Sequence, residues 1–179
     1  MNSNNYIRHK CFISYHHDDE IEVERFIRQF DNNQDVLITR GIGAGMAGDV
    51  INSNNDDYIM RRIRELYLKD TTVTIVLVGR YTWTRKFVDW EVAASLRNTP
   101  NVNRSGLMAI TLPSAANYFD KKLPLRVQDN VDRGYARWWK YPTTAECLAS
   151  CIETAYKARS ECAHLVDNRR PLCSNNSLI

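Results

Sequence analysis

The chain has 179 residues, 44% hydrophobic and 25% charged, with seven Gly and five Pro; this mix predicts one globular domain and excludes collagen-like and low-complexity chains. A net charge of +3 falls short of the clustered basic footprint of a nucleic-acid binder, so no nucleic-acid partner is expected. The longest apolar run, Val73–Val78, is far below the ~20 residues of a membrane span, so no membrane contact is expected either.

Met1–Lys10 is Asn-rich and lacks the apolar stretch of a signal peptide, and five Cys with no C-x-x-C pair suit a reduced, cytoplasmic protein. Lys10–Tyr15 then reads as a short buried strand. Asp19 and Glu22 have capping-box spacing for a helix whose apolar face carries Ile21, Val23, Phe26, Ile27 and Phe30. Asp35–Thr39 is a second strand, followed by a long loop, Arg40 to Asn55, with four Gly and three Asn. Asp56–Lys69 has helical periodicity. Thr71–Val78 is β-branched and apolar on both faces, as a central parallel strand should be. Phe87–Arg97 reads as a helix, Gly106–Leu112 as a strand, 113–135 as loop, Ala136–Tyr141 as an edge strand, and Thr143–Leu165 as a closing helix. The expected organisation is an N-terminal segment (1–9), a single α/β domain (10–165) and a polar, frayed tail (166–179).

Strands alternating with helices predict βαβ units and a parallel sheet, here a flavodoxin-like, doubly wound order 2-1-3-4-5. Ligands of such sheets bind beyond the carboxyl ends of the strands, at the switch point between strands one and three. Ser14–Asp19 and Gly79–Glu91 meet there, and the Gly-rich loop from Arg40 opens on the same edge.

Two stretches carry a resemblance: Phe12–Glu20 (FISYHHDDE) and Thr74–Val92 (TIVLVGRYTWTRKFVDWEV). Together they resemble a Toll/interleukin-1 receptor (TIR) domain, in the TIR-like branch found in bacterial anti-phage systems such as Thoeris; the likeness runs from about residue 8 to 160. TIR enzymes that cleave NAD commonly carry W-C-x-x-E after the third strand. Phe87-Val88-Asp89-Trp90-Glu91 matches it with Phe for Trp and Val for Cys, which puts Glu91 at the position of the catalytic glutamate. An acidic residue in the first turns of a helix is otherwise an ordinary response to the helix dipole.

The resemblance implies cleavage of NAD+ at the nicotinamide–ribose bond, with NAD+ as substrate and no cofactor. Nicotinamide leaves a cationic pyridinium as a neutral base, so no general acid is needed and one carboxylate suffices to stabilise the oxocarbenium-like transition state. Water then gives ADP-ribose; a nucleophile on the same molecule gives a cyclic ADP-ribose, favoured where water is excluded. The resemblance implies that this product signals to a separate effector protein. Such enzymes often assemble to complete their site, so self-association is among the expected contacts.

Phe12, Ser14 and Asp18 are the substrate-binding candidates on the first-strand segment, with Arg40 for phosphate and Tyr81 and Trp83 for stacking. Each has an ordinary alternative: core packing for Phe12, a helix cap for the Asp18-Asp19 pair, solvated charge for Arg40, packing for the aromatics. His16-His17 beside two Asp raises a metal, but adjacent residues in such a turn rarely ligate one ion, and no metal is expected. Cys147, Cys151 and Cys162 read as buried thiols at helical spacing. Gly43–Gly48 formally matches G-x-G-x-x-G but follows the second strand instead of the first, so it reads as coincidence. The competing function is a non-catalytic TIR-type interaction module. A receiver-like phospho-acceptor domain is disfavoured because the third strand ends Val78-Gly79-Arg80, with no acceptor Asp.

Overall fold

The computed structural model describes residues 6–43, 47–100 and 103–177. Five parallel strands, β1 (His9–Ser14), β2 (Leu37–Gly43), β3 (Val73–Val78), β4 (Gly106–Thr111) and β5 (Arg137–Trp139), form one sheet in the order β2-β1-β3-β4-β5. The helices are α1 (Glu20–Ile27), α2 (Gly48–Ile51), α3 (Asp56–Leu66), α4 (Lys86–Leu96), α5 (Leu125–Asp132) and α6 (Ala145–Glu161). Among the described residues no helix is long and apolar enough to cross a membrane.

The period of two along each strand divides the core into faces. Ile13, Ile75, Leu77, Met108 and Ile110 pack with Val23 and Phe26 of α1 and Leu148 and Ile152 of α6. On the other face, Val76, Val78, Leu107 and Ala109 pack with Val88 and Val92 of α4 and Val127 of α5. Every residue of β3 and β4 is buried, which is why both read as near-continuous apolar runs. Gly106 opens β4 without a side chain because α6 lies against it: a Cβ there would meet the Ala155 carbonyl oxygen at 2.0 Å.

Five expectations differ from the structure, the first being the cysteines of α6 and its end: Cys151 is buried, but Cys147 is exposed and Cys162 only half-buried. The 113–135 stretch is not all loop: α5 lies within it, and its Arg126 is the largest fully buried side chain. The Asp19–Glu22 capping box does not form; Asp19 precedes α1 with no side-chain cap bond, and the 3-10 turn before it is capped by His16 Nδ1, which accepts the Asp18 N–H at 3.1 Å. The Arg40–Asn55 loop is shorter than expected, because β2 extends to Gly43 and α2 intervenes; Ala44–Met46 of the glycine motif lie outside the described residues. The tail is a strap rather than a frayed end. Asn168 donates to the Ala93 carbonyl, Trp90 Nε1 donates to the Cys173 carbonyl at 2.8 Å, and the Ser177 N–H reaches the Thr84 carbonyl at 2.9 Å. It was unreadable because its bonds are polar and fall on residues about 75 to 93 positions away.

Candidate active site at the sheet switch point

β1 and β3 are hydrogen-bonded neighbours whose following helices lie on opposite faces of the sheet, so a crevice opens beyond their carboxyl ends. Ser14, the last residue of β1, and Glu91, in the second turn of α4, meet in it. Ser14 Oγ donates to Glu91 Oε2 at 2.5 Å, and the two side chains are 0% and 3% exposed. Burial pushes the Glu91 carboxyl up to about 8, against smaller opposing pulls from the Ser14 hydrogen bond and the Arg85 guanidinium. Burial thus favours the neutral acid near pH 7, and an approaching positive charge would favour its ionised form.

Residues around this pair complete the edge. His16 is buried, and its basicity is lowered mainly by that burial, with Asp18 opposing; its ring lies 6.4 Å from the ring of Tyr81. Gly79 follows β3, and its lack of a side chain admits the Asp19 carboxyl; a Cβ there would lie 2.0 Å from Asp19 Oδ2. Thr82 Oγ1 accepts the Gly79 N–H at 2.8 Å. Burial and the neighbouring carboxylates Glu22 and Asp18 push Asp19 up to about 6. Asp19, His16 and Arg85 are thus site-edge groups that lie in the two segments expected at the switch point but were not among the substrate-binding candidates. The signal available for Asp19 was its place in the short turn between β1 and α1; its capping-box spacing obscured that.

The other candidates scatter. Phe12 is fully buried among Ile59, Ile63, Trp90 and Ala94, so it supports the crevice from behind and does not line it. Asp18 is exposed and pairs with His17 Nε2 at 2.9 Å. Arg40 is exposed and is the extra residue of a β-bulge, because Thr39 pairs with Cys11 and Gly41 with Phe12. Tyr81 is half-buried under the Arg80 guanidinium. Trp83 lies under Lys122 Nζ and faces a separate cavity of about 320 Å³ shared with Arg85, Leu123 and Asn175. His16, His17 and Asp18 bring potential ligand atoms within 4.8 Å of one another, although His16 Nδ1 already holds the Asp18 N–H.

The sheet order and its flanking helices define an α/β fold of the TIR type. The chain belongs to the family described as Thoeris protein ThsB, TIR-like domain, whose model matches residues 12–117. That match includes Ser14 and Glu91 and excludes α5, β5, α6 and the strap. No curated protein matches the chain.

Proposed function

We propose that this TIR-like defence protein cleaves NAD+ at the nicotinamide–ribose bond, with Glu91 as the catalytic carboxylate, and releases a cyclic ADP-ribose-type messenger to an effector protein. The observation carrying this reading is the buried Glu91–Ser14 pair at the carboxyl edge of β1, whose carboxylate has no ion-pair partner among the described residues. A cationic nicotinamide ring supplies the missing positive charge, and its approach lowers the Glu91 pKa and releases a proton. The ionised carboxylate, oriented by the Ser14 hydroxyl, then faces the ribose as positive charge develops there. The glycosidic C–N bond breaks and its electron pair leaves with neutral nicotinamide. The ribosyl cation is captured by a nucleophile on the same molecule, or by water to give ADP-ribose.

The test is NAD+ turnover in phage-infected cells carrying wild type or Glu91→Gln, with nucleotides resolved by mass spectrometry. A cyclic ADP-ribose species should accompany wild type and be lost, by at least ~10³-fold, in the variant at equal protein level. A second reading, a non-catalytic interaction module, draws on the exposed apolar side chains Phe119, Leu125 and Ile21. Equal protection by both proteins with no new nucleotide would favour it.

A further inference from the structure

At the opposite edge of the sheet, where β3 and β4 begin, two cavities of about 620 and 270 Å³ adjoin and share Asn103 and Arg159 as walls. The larger is also lined by Arg64 and the Leu68–Thr72 turn, the smaller by Arg104 and Tyr156. Three guanidinium groups therefore surround this groove, and none of them has a carboxylate partner among the described residues. Among the described residues Arg64 donates only to carbonyl oxygens, those of Ala94, Arg97 and Asn103. Arg104 donates to the Ala163 carbonyl at 3.2 Å. Arg159 lies over the Tyr156 ring, and its Nε is buried with no hydrogen-bond partner. The carboxylates on the walls are Glu65, already paired with Arg62 at 3.0 Å, and Asp70, exposed on its turn.

A buried cationic donor without an acceptor costs about 1–3 kcal/mol, and such groups in native proteins call for an explanation. Burial and the neighbouring Arg97 charge both weaken the hold of Arg64 on its proton, which is the signature of positive charge lacking an anion. Guanidinium forks match phosphate oxygens in two-point geometry. Two adjoining cavities, each with its own arginine and sharing Arg159, fit two linked phosphate groups better than one. Their small-molecule dimensions distinguish them from the extended basic stripe a nucleic acid would need.

We propose that the Arg64–Arg104–Arg159 groove binds a small molecule bearing a diphosphate, with the shared Arg159 fork as its central contact. The site stands apart from Glu91 and holds whether or not NAD+ is cleaved.

Isothermal titration of the full chain in low-chloride buffer with pyrophosphate, ADP and orthophosphate tests this. Wild type and Glu91→Gln should both bind pyrophosphate at least ~10-fold more tightly than orthophosphate. Arg159→Gln and Arg104→Gln should each weaken it at least ~10-fold, and Arg159→Lys should recover only part, because it restores charge without the fork. ADP binding tighter than pyrophosphate would identify a nucleotide as the source of the diphosphate; the reverse would identify the free anion. Two variants on different elements guard against a misfolded one, with circular dichroism confirming the fold of each. The proposal falls if wild type shows no saturable binding, or if folded Arg159→Gln and Arg104→Gln bind as wild type does. It falls equally if binding is lost in Glu91→Gln and kept in Arg159→Gln.

Discussion

Asp89 and Glu91 stand two residues apart on α4, both are buried, and they face opposite fates. Asp89 takes two hydrogen bonds from the Arg126 guanidinium, at 2.8 and 3.2 Å, and a third from the Cys173 N–H at 2.9 Å. Arg126 in turn reaches Asn168 and the Pro171 carbonyl, so one ion pair ties α4, α5 and the strap together. Among the described residues Glu91 has a single hydroxyl partner and no cation in contact. A buried carboxylate that is paired and fully hydrogen-bonded can stay charged; one without a cation holds its proton until positive charge arrives. The helix thus separates a clasp from a candidate catalytic group by two positions.

The contrast is sharpest in the pH dependence of stability. The folded Glu91 pKa of about 8 lies above its ordinary value of 4.5, so the native state holds a proton that the unfolded chain releases across this window. Stability attributable to this group is complete below pH 4.5, falls as pH rises, and levels off above 8. Glu91→Gln removes the fall. The variant should match wild type near pH 4 and exceed it by up to about 5 kcal/mol at pH 9, because each pH unit between the two pKa values is equivalent to about 1.36 kcal/mol. Denaturant titrations at the two pH values read this directly, and a constant difference would refute the buried neutral acid. The substitution expected to abolish the proposed turnover should thus stabilise the fold, as for a site that trades stability for function.

The clasp should respond in the opposite sense. Arg126→Met leaves the Asp89 carboxylate buried without its partner and should cost about 3–5 kcal/mol. Adding Asp89→Asn should recover part of that loss. If Arg126→Met alone were neutral, the distinction between the two carboxylates would collapse.

How far each carboxylate could be read from sequence follows from the range of its partners. Glu91 was legible because its spacing from β3 is local and because Phe87–Glu91 matches a family pattern. The β1, β3 and β4 runs were legible because burial on both faces leaves only apolar, β-branched choices. Asp89 was not legible as half of an ion pair: Arg126 lies 37 residues on, in a stretch whose Pro and Asp content read as loop. The strap was illegible for the same reason, since a polar segment that pairs with distant backbone groups has the composition of a solvated tail. Phe12 was ambiguous because an apolar residue in a buried strand can equally fill the core or floor a pocket. Strand alternation settles that it packs with α3 and α4.

Ser14→Ala probes the other half of the active pair on a smaller scale. The Ser14 hydroxyl donates to the Glu91 carboxyl and favours its charged form. Its removal should raise the Glu91 pKa by about one, equivalent to about 1.4 kcal/mol. A carboxyl-carbon NMR titration measures the change, and NAD+ turnover should move to correspondingly higher pH. An unchanged pKa would mean that Ser14 only fills space.

The smallest expected effect tests whether the strap acts on the helix or on the site. Arg85 offers no side-chain cap to α4; instead Asn176, 90 residues away, accepts the Lys86 N–H through Oδ1 at 3.0 Å. This is an N-cap supplied from a distant segment, and caps of this kind contribute about 0.5–1 kcal/mol. Asn176→Ala should cost that much and speed hydrogen exchange at the Lys86–Val88 amides. The Glu91 titration should stay where it was, because Glu91 lies a turn and a half further on and is held by Ser14. A shifted Glu91 pKa in Asn176→Ala would join the clasp and the active pair into one unit, and the division of labour along α4 would then be a gradient instead of a boundary.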